Sequence, residues 1–260
     1  MDYLVVCVTA FLISGITLFS GFGLGTVLMP AFAIFFPVPV AIAATAVVHL
    51  ANNLFKLALV GRRASGPVIR RFGVPAVIAA FAGAGVLAVM AGDGALITYE
   101  LAGRTFDVSL LELVIGVLIV AFAVLELLPG FSELALPPRY LPIGGLISGF
   151  FGGLSGHQGA FRAAFLIKAG LTKEQFIGTG IVVAVLVDFA RLVVYGAAVE
   201  SSAAAFEPGI RGLVVAATIA AFAGAFLANR LLEKVTMNAV RIIVAVLMIV
   251  VGAGLAAGWL

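Results

Sequence analysis

Polar side chains and glycines are concentrated in one stretch of an otherwise apolar segment, GGLSGHQGAFRAAFL (152–166). His157, Gln158 and Arg162 all provide hydrogen-bond donors, and the arginine is permanently charged. Glycine allows sharp turns and lets a ligand approach backbone N–H groups closely. An arginine in the first turn of a helix opposes the helix dipole, so its presence there makes sense when an anion lies nearby. The stretch predicts an anion-binding site; the alternative is an Arg162 side chain that pairs with a lipid phosphate.

A second set of polar residues shares one predicted helix. These are His49, Asn52, Asn53 and Lys56. The pairs His49–Asn52, His49–Asn53 and Asn52–Lys56 are three or four residues apart, which places the four on one face. In a membrane such a face turns towards the protein interior rather than towards lipid. The stripe can provide interhelical hydrogen bonds or substrate contacts, and we expect substrate contacts. Lys56 can alternatively extend towards the cytoplasmic end of its helix.

Asp188 and Arg191 form a third candidate, because residues three positions apart on a helix can pair. One interpretation is a structural ion pair within the membrane. The other is a pair that lines the substrate path, since charges at membrane depth are usually functional. In that case Asp188 takes up a proton when Arg191 releases it to bind substrate.

The composition places these residues in a lipid bilayer. Of 260 residues, 63% are hydrophobic and only 10% are charged, whereas an average soluble domain has about 25% charged residues. So little charge cannot form a wetted surface, which excludes water-soluble enzymes. The formal net charge of +3 does not indicate a nucleic-acid surface. The two histidines are not at metal-ligand spacing and no Walker motif is present, so we expect no metal, cofactor or ATP site.

Eight apolar runs, separated by short polar breaks, predict the helices that position these residues. Six have the length of one membrane crossing, about 20 residues. The first and fifth are too long for a core of about 30 Å, and glycines interrupt both, in SGFGLG (20–25) and GGLSGHQG (152–159). Each of these two predicts a kinked span or a re-entrant pair of half-helices. The runs are 4–36, 38–60, 73–91, 108–128, 140–167, 176–199, 210–228 and 238–258.

Loop charges predict which ends of the runs face the cytoplasm. GRRASGPVIRR (61–71) carries four arginines and no acid, and RLLEKVTMNAVR (230–241) is also basic, so both are expected inside. Residues 92–107 and 197–210 carry an excess of acids and are expected outside. Counting crossings between these loops makes run 140–167 begin and end inside. This favours a re-entrant hairpin, and by the same count run 4–36 forms one from the outside.

An internal repeat divides the chain into two halves, 1–130 and 131–260. LISG occurs twice, at 12–15 and at 146–149, and NLFKLALVG (53–61) aligns with DFARLVVYG (188–196). The second alignment pairs Asn53 with Asp188 and Lys56 with Arg191. Each half then contains one broken hairpin and three spans, an odd number of crossings, so the halves are expected to be inverted. The predicted fold is an all-α membrane protein of two inverted repeats, the architecture of secondary transporters.

The two glycine breaks are expected to share one site near the membrane midplane. A new helix begins near Thr26 in one half and near Gly159 in the other, and helix N-termini attract anions. His157 and Gln158 provide donors suited to sulfite or sulfonate oxygens. The expected substrate-binding residues are Gly21, Gly23, Gly25, Thr26, His49, Asn52, Asn53, Lys56, Ser155, Gly156, His157, Gln158, Gly159, Arg162 and Arg191, with Asp188 as the candidate for proton coupling.

Several segments resemble the sulfite exporter TauE/SafE family. GFGLGTVLMP (21–30) is similar to the family's glycine-rich signature ending in proline, and 148–180 is similar to its counterpart in the second half. The segments 41–61 and 178–196 resemble the helices that follow. The resemblance implies a permease for anionic sulfur compounds such as sulfite, thiosulfate or small organosulfonates. The second half departs from the family pattern, because SGHQGAFRAAF lacks the proline and adds His157, Gln158 and Arg162.

We therefore expect a multi-pass protein of the inner cell membrane whose partners are a small anion and lipid, with a homodimer as one possible assembly. Its expected function is secondary transport of a small sulfur-containing anion, with export as the expected direction. Two alternatives stay open on sequence grounds. One is a membrane enzyme acting on a lipid phosphate, although neither break contains the carboxylate that such chemistry usually needs. The other is an anion channel.

Overall fold

Helices make up most of the computed structural model, which describes residues 1–20, 24–60, 63–92, 94–128, 130, 134–199, 208–231 and 237–260. A π-helical turn, Ile69–Gly73, lies within the fourth helix, and a short 3-10 helix, Pro138–Tyr140, precedes the sixth. In chain order the helices are α1 (Asp2–Ser20), α2 (Leu24–Ala33), α3 (Val38–Val60), α4 (Gly66–Met90), α5 (Leu110–Leu127), α6 (Leu141–Ser155), α7 (Gly159–Leu166), α8 (Lys173–Val199), α9 (Pro208–Leu231) and α10 (Met237–Ala256).

The helical membrane fold that the composition predicts is confirmed. Within the described ranges, five segments are long and apolar enough to cross a bilayer: Val38–Ala58, Gly66–Met90, Leu110–Leu127, Lys173–Ala197 and Gly209–Leu227. They correspond to five of the six runs of single-span length. The sixth run, 238–258, corresponds to α10, in which Ala245–Ala256 forms a shorter apolar helix.

Local sequence signals explain where several helices begin and end. Ser109 caps α5, because its hydroxyl accepts from the Glu112 amide at 3.1 Å while the Glu112 carboxylate accepts from the Ser109 amide at 2.8 Å. Gly156 ends α6 in the left-handed conformation, with φ of 83°. Helix α6 ends at Ser155 and α7 begins at Gly159, so a break lies in the glycine stretch 152–159. Gly21 and Gly23 lie outside the described residues.

Helices α6 and α7 return on each other as a hairpin. The amide of Leu136, ahead of α6, donates to the carbonyl of Ala164 near the end of α7 at 3.0 Å. A Cβ at Gly144, near the start of α6, would overlap with the ring of Phe165. The end of α7 therefore lies beside the beginning of α6. These contacts agree with the re-entrant arrangement that the loop charges predict for 140–167.

A row of glycines brings α6 into backbone contact with α4. A Cβ at Gly145, Gly149 or Gly153 would overlap with a carbonyl oxygen of α4, belonging in turn to Phe72, Ala76 and Ala80. Small residues spaced four apart allow membrane helices to approach this closely. Because the contacts advance in the same order along both helices, α4 and α6 run parallel. The sequence analysis overlooks this spacing, although it is visible in the sequence.

The other close helix pairs also join the first half of the chain to the second. A Cβ at Gly224 of α9 would overlap with the backbone of Phe11 in α1. Gly116 of α5 lies against Gly252 of α10, again backbone to backbone. Helix α3 packs against α8 in the opposite direction, since the residue 65 amide, just past α3, bonds to the Thr179 hydroxyl near the start of α8. Most helices of one half thus pack against helices of the other.

Buried apolar side chains form two clusters. The larger is formed mainly by α1, α2, α3, α5, α9 and α10, and it includes Leu28, Phe32, Ile115, Leu213 and Met248. The smaller lies among α4, α6, α7 and α8 and includes Phe72, Leu141 and Val187. Helices α4, α6 and α8 contribute to both clusters.

A two-stranded antiparallel sheet follows α4, with β1 at Ala95–Leu101 and β2 at Arg104–Ser109. Ala102 and Gly103 form its turn with positive φ of 52° and 75°. The Tyr99 hydroxyl donates to the carbonyl of Ala257 at 2.5 Å, which fixes the hairpin to the end of α10. The sequence analysis expects only an external loop over 92–107. β-Branched and aromatic residues on both sides of the turn are the signal that it overlooks.

Candidate functional site

The second glycine break brings an arginine side chain against its backbone. Ser155, Gly156, His157 and Gln158 connect α6 to α7, and the polar side chains among them are buried. A Cβ at Gly156 would lie 2.7 Å from an NH1 nitrogen of Arg191 on α8. Its positive φ and this close contact both require glycine. The guanidinium of Arg191 therefore lies directly beside the break.

Arg191 is paired with Asp188, and both side chains are fully buried. NH2 of Arg191 lies 2.8 Å from Oδ1 of Asp188. The other carboxylate oxygen, Oδ2, lies 2.6 Å from Nδ1 of His49 and accepts from the Asn53 amide at 3.1 Å. One carboxylate thus joins α3 to α8. The structure brings together four residues that the sequence analysis placed on two separate helices.

The first glycine break reaches the same place through Gly25. A Cβ at Gly25 would lie 3.4 Å from the carbonyl oxygen of Gly156 and 3.6 Å from Cδ2 of His49. The beginning of α2 is therefore adjacent to the end of α6, as expected for two breaks that share a site. Thr26 is the next residue of α2, and its side chain lies outside the part of the chain that the structure describes.

Arg162 lies one turn into α7, the helix that Gly159 begins, and is only 5% exposed. Its NH1 donates to Oε1 of Gln158 at 3.1 Å, and its Nε faces α8. It is close enough to Lys56 and to Asp188 to interact with both electrostatically. The side chain thus lies inside the protein rather than extending to lipid headgroups.

Lys56 is buried in the protein interior, with 5% of its surface exposed. This burial contradicts the alternative in which the side chain extends towards the cytoplasmic surface. Three buried cations therefore lie in this region, Lys56, Arg162 and Arg191. In the part of the chain that the structure describes, Asp188 is the one buried carboxylate that can balance them. The region has an excess of positive charge.

Several buried polar atoms around the break have no hydrogen-bond partner among the residues that the structure describes. They are Nε2 of His157, Nε2 of Gln158, and Nε, Nη1 and Nη2 of Arg191, whose contact with Asp188 is an ion pair without hydrogen-bond geometry. Buried polar groups without partners are rare, because each costs about 1–3 kcal/mol. The four atoms on Gln158 and Arg191 are donors, an arrangement that an oxyanion, which only accepts, would satisfy. Nδ1 of His157 lies 3.2 Å from the Ser155 carbonyl, so Nε2 of a neutral His157 ring carries the lone pair.

Aromatic rings enclose one side of the break. The ring of His157 stacks on Phe122 of α5 at 4.9 Å between centroids, and its Nδ1 lies 3.0 Å from the Ser155 hydroxyl. Phe151 and Phe161 pack edge-on against the same phenylalanine. These contacts hold the imidazole in one orientation. The sequence analysis does not identify Phe122, since an apolar residue in a span carries no signal of its own.

Asn52 differs from its neighbours in the polar stripe because it faces another helix. Its Oδ1 accepts from the hydroxyl of Ser14 on α1 at 2.9 Å. This contact corresponds to the interhelical alternative for the stripe, whereas His49 and Asn53 contact Asp188. Ser148, the matching serine of the second LISG segment, donates to the carbonyl of Gln158 at 2.9 Å and supports the break. Neither serine was predicted.

A cavity of about 370 Å³ lies between α3, α8 and α9, next to the charged residues. Ala44, Leu192, Val214 and Tyr195 contribute to its lining. The Tyr195 hydroxyl donates to the carbonyl of Gly153 at the end of α6. Tyr195 thus contacts both the cavity and the end of α6. The sequence analysis does not identify this tyrosine either.

The sequence was compared with known families, curated proteins and solved structures. The model of the TauE family, described as sulfite exporter TauE/SafE, matches residues 6–255. Neither the curated proteins nor the solved structures gave a match.

Proposed function

Because the chain belongs to the sulfite exporter TauE/SafE family, we propose that it exports small sulfur-containing anions across the inner membrane as a secondary transporter. The proposed substrates are sulfite, thiosulfate or small organosulfonates. Members of this family are membrane transporters rather than enzymes, which removes the lipid-phosphate enzyme as an alternative. The inner-membrane location and a homodimeric assembly stay predictions.

The observation that carries the proposed site is the group of unpartnered donors on Gln158 and Arg191, within the described part of the chain. Sulfite, thiosulfate and sulfonates present several acceptor oxygens on one tetrahedral or pyramidal centre. The excess of buried positive charge around the break also attracts a negative ligand. The N–H groups in the first turn of α7 have no acceptor within the helix and add to this preference.

The inverted arrangement of the halves is part of this proposal. Gly25 and Gly156, one from each break, are adjacent, and Asn53 contacts its repeat partner Asp188. The opposite directions of α3 and α8, and of α5 and α10, are what inverted halves require. A site between two broken helices lets the halves move against each other around a bound substrate. Alternating exposure of that site to the two sides of the membrane would produce transport.

Arg162 and Arg191 have different roles in the proposed mechanism. Arg191 contacts the anion at the break, where it exchanges part of its interaction with Asp188 for one with the substrate. Arg162 adds positive charge from α7 and orients the Gln158 side chain through its hydrogen bond. The proposed backbone groups at the two breaks belong to Gly25, Thr26, Ser155 and Gly159, and Gly21 and Gly23 stay predicted members of the first break.

Transport measurements on the purified protein in liposomes test this proposal. Replacing Arg162 with alanine should reduce sulfite flux at least tenfold. Arg139→Ala is the matched control, because Arg139 is exposed and packs over Tyr140 outside the site. Its flux should stay near that of the wild type. Equal flux in both variants would contradict the site, provided that both variants insert and fold.

The same liposomes distinguish a transporter from a channel. A transporter binds substrate in every cycle, so its flux should saturate with sulfite concentration and labelled sulfite should exchange against unlabelled sulfite. A flux that rises in proportion to concentration, without exchange, would favour the channel instead.

A further inference from the structure

We propose that His49, held by Asp188, is the group that takes up a proton when the anion binds, so that proton and anion cross the membrane together. This inference depends on the proposed transport function and adds its coupling site. It changes the role expected for His49, from contact with the substrate to exchange of a proton. It also assigns the proton coupling expected of Asp188 alone to His49 and Asp188 together.

The contacts of His49 determine which of its nitrogens carries hydrogen. Nδ1 lies 2.6 Å from Oδ2 of Asp188, and an ionised carboxylate only accepts, so Nδ1 must donate. The Asn53 amide is itself a donor and therefore bonds to the carboxylate, at 3.1 Å, rather than to Nδ1. In the neutral imidazole, Nε2 then carries the lone pair, and the Asn53 amide nitrogen lies 3.4 Å from it. This nitrogen is the one that can accept a proton.

Nε2 is directed towards the junction of the two breaks. A Cβ at Gly25 would lie 3.7 Å from it and 3.4 Å from the carbonyl oxygen of Gly156. The His49 side chain is 12% exposed, whereas Asp188 is fully enclosed. A proton arriving through the substrate path thus meets Nε2 before it meets the carboxylate. His49 is the accessible member of the pair.

The charged neighbours of His49 favour proton uptake only when an anion is present. Asp188 faces it from α8 together with Arg191, Lys56 lies further along α3, and Arg162 on α7 interacts with Asp188. Without an anion, these cations oppose a further positive charge. A bound anion compensates them and weakens the hold of Arg191 on Asp188. The carboxylate is then available to stabilise an imidazolium at His49.

Thermodynamic linkage between anion binding and proton binding determines the direction in which the proton moves. Anion binding favours the proton on Nε2, and by reciprocity the proton favours the anion to the same degree. One proton binds from the side that supplies the anion, forming one N–H bond. It leaves from Nε2 on the other side when the anion departs and Arg191 pairs again with Asp188. Proton and anion therefore move in the same direction.

The second histidine provides a matched comparison. His157 lies in the break itself, but its Nδ1 contacts the Ser155 backbone and hydroxyl, and its ring is stacked on Phe122. No carboxylate is paired with it among the described residues. His157 therefore lines the break without a carboxylate that would stabilise a proton on its ring. The two histidines should therefore give different results when each is replaced by glutamine.

Calorimetric titration of the full chain in detergent tests the inference. The probes are thiosulfate and methanesulfonate. Both are anions of strong acids, so they stay unprotonated near neutral pH. Titration in buffers of different ionisation enthalpy gives the number of protons taken up per anion bound. The wild type should take up about one proton, and its affinity should rise up to about tenfold for each unit that the pH falls.

The two glutamine variants separate the possible outcomes. His49→Gln should bind the anion with proton uptake near zero and with an affinity independent of pH. His157→Gln should still bind the anion with a proton uptake near one. Proton uptake that persists in His49→Gln would overturn the inference, and so would complete loss of binding, which would make His49 an anion contact. A wild type that binds neither probe would instead contradict the proposed function.

Discussion

Asn53 on α3 donates a hydrogen bond of 3.1 Å to Asp188 on α8, and these two residues occupy matching positions of the internal repeat, 135 residues apart. In the proposed inverted arrangement, residues related by the approximate two-fold axis come together only where they lie close to that axis. The contact would then lie near the axis. The amide and the carboxylate have nearly the same shape but different charge.

Exchanging this pair should partly restore what a single substitution removes. Asp188→Asn leaves Arg191 buried without its carboxylate, which should cost about 3–5 kcal/mol of stability. The double variant Asn53→Asp with Asp188→Asn returns a carboxylate to the same contact, from α3. We expect its thermal denaturation in detergent to recover at least half of the lost stability. A single variant as stable as the wild type would contradict the importance of the ion pair.

Two glycines with positive φ should respond differently to alanine. Gly156 and Gly170 have φ of 83° and 72°, so each substitution carries a backbone cost of about 1–2 kcal/mol. Only at Gly156 would the new methyl group meet a guanidinium, whereas Gly170 has open space. Gly156→Ala should therefore also weaken thiosulfate binding at least tenfold. Gly170→Ala should leave the affinity unchanged in the same titration, and equal affinities in both would count against the site.

The contact between α4 and α6 should be sensitive to a single methyl group. At Gly149 a Cβ would overlap with the backbone of Ala76, while at Gly85 on α4 nothing described lies within 4 Å. Overpacking should make Gly149→Ala less stable by about 1–3 kcal/mol. Gly85→Ala should be neutral or stabilising by up to about 1 kcal/mol, because alanine is the better helix former. Denaturation curves of the two variants check this, and a stable Gly149→Ala would argue against close helix contact.

Labelling of single cysteines tests the hairpin of α6 and α7. In a Cys7→Ser background, Ala135→Cys and Leu171→Cys should react with a membrane-impermeant reagent from the same side. Gly103→Cys, at the turn between β1 and β2, should react from the opposite side, because it follows the far end of α4. Opposite labelling of residues 135 and 171 would make the segment a simple span.

The spans and the break at 152–159 could be predicted because their signals are local. An apolar run of about 20 residues reports on its own surroundings, and a glycine cluster reports on its own backbone. Charges at depth are also evident without a structure, which is how Arg162, Asp188 and Arg191 were identified. The loop charges further predicted the return of α7 along α6, since crossings can be counted between loops.

The partners of these residues could not be predicted, because they depend on which helix faces meet. Nothing in the sequence near His49 indicates that its two nitrogens face Asp188 and Gly25. Phe122 and Tyr195 are ordinary residues of apolar spans until packing brings them against the break. The stripe containing His49 was predicted as a single surface, yet Asn52 on it bonds to α1.

The pairing of α1 with α9 and of α4 with α6 has a consequence for how the protein is made. A ribosome delivers α1 and α4 to the membrane well before the helices that receive them. Until then, the faces at Phe11 and Ala76 that later meet glycine can contact only lipid. The helices of the first half alone therefore lack some of the helices that they pack against. Assembly must await synthesis of the second half. A gene split near residue 130 should yield an active protein only when both fragments are produced in the same cell.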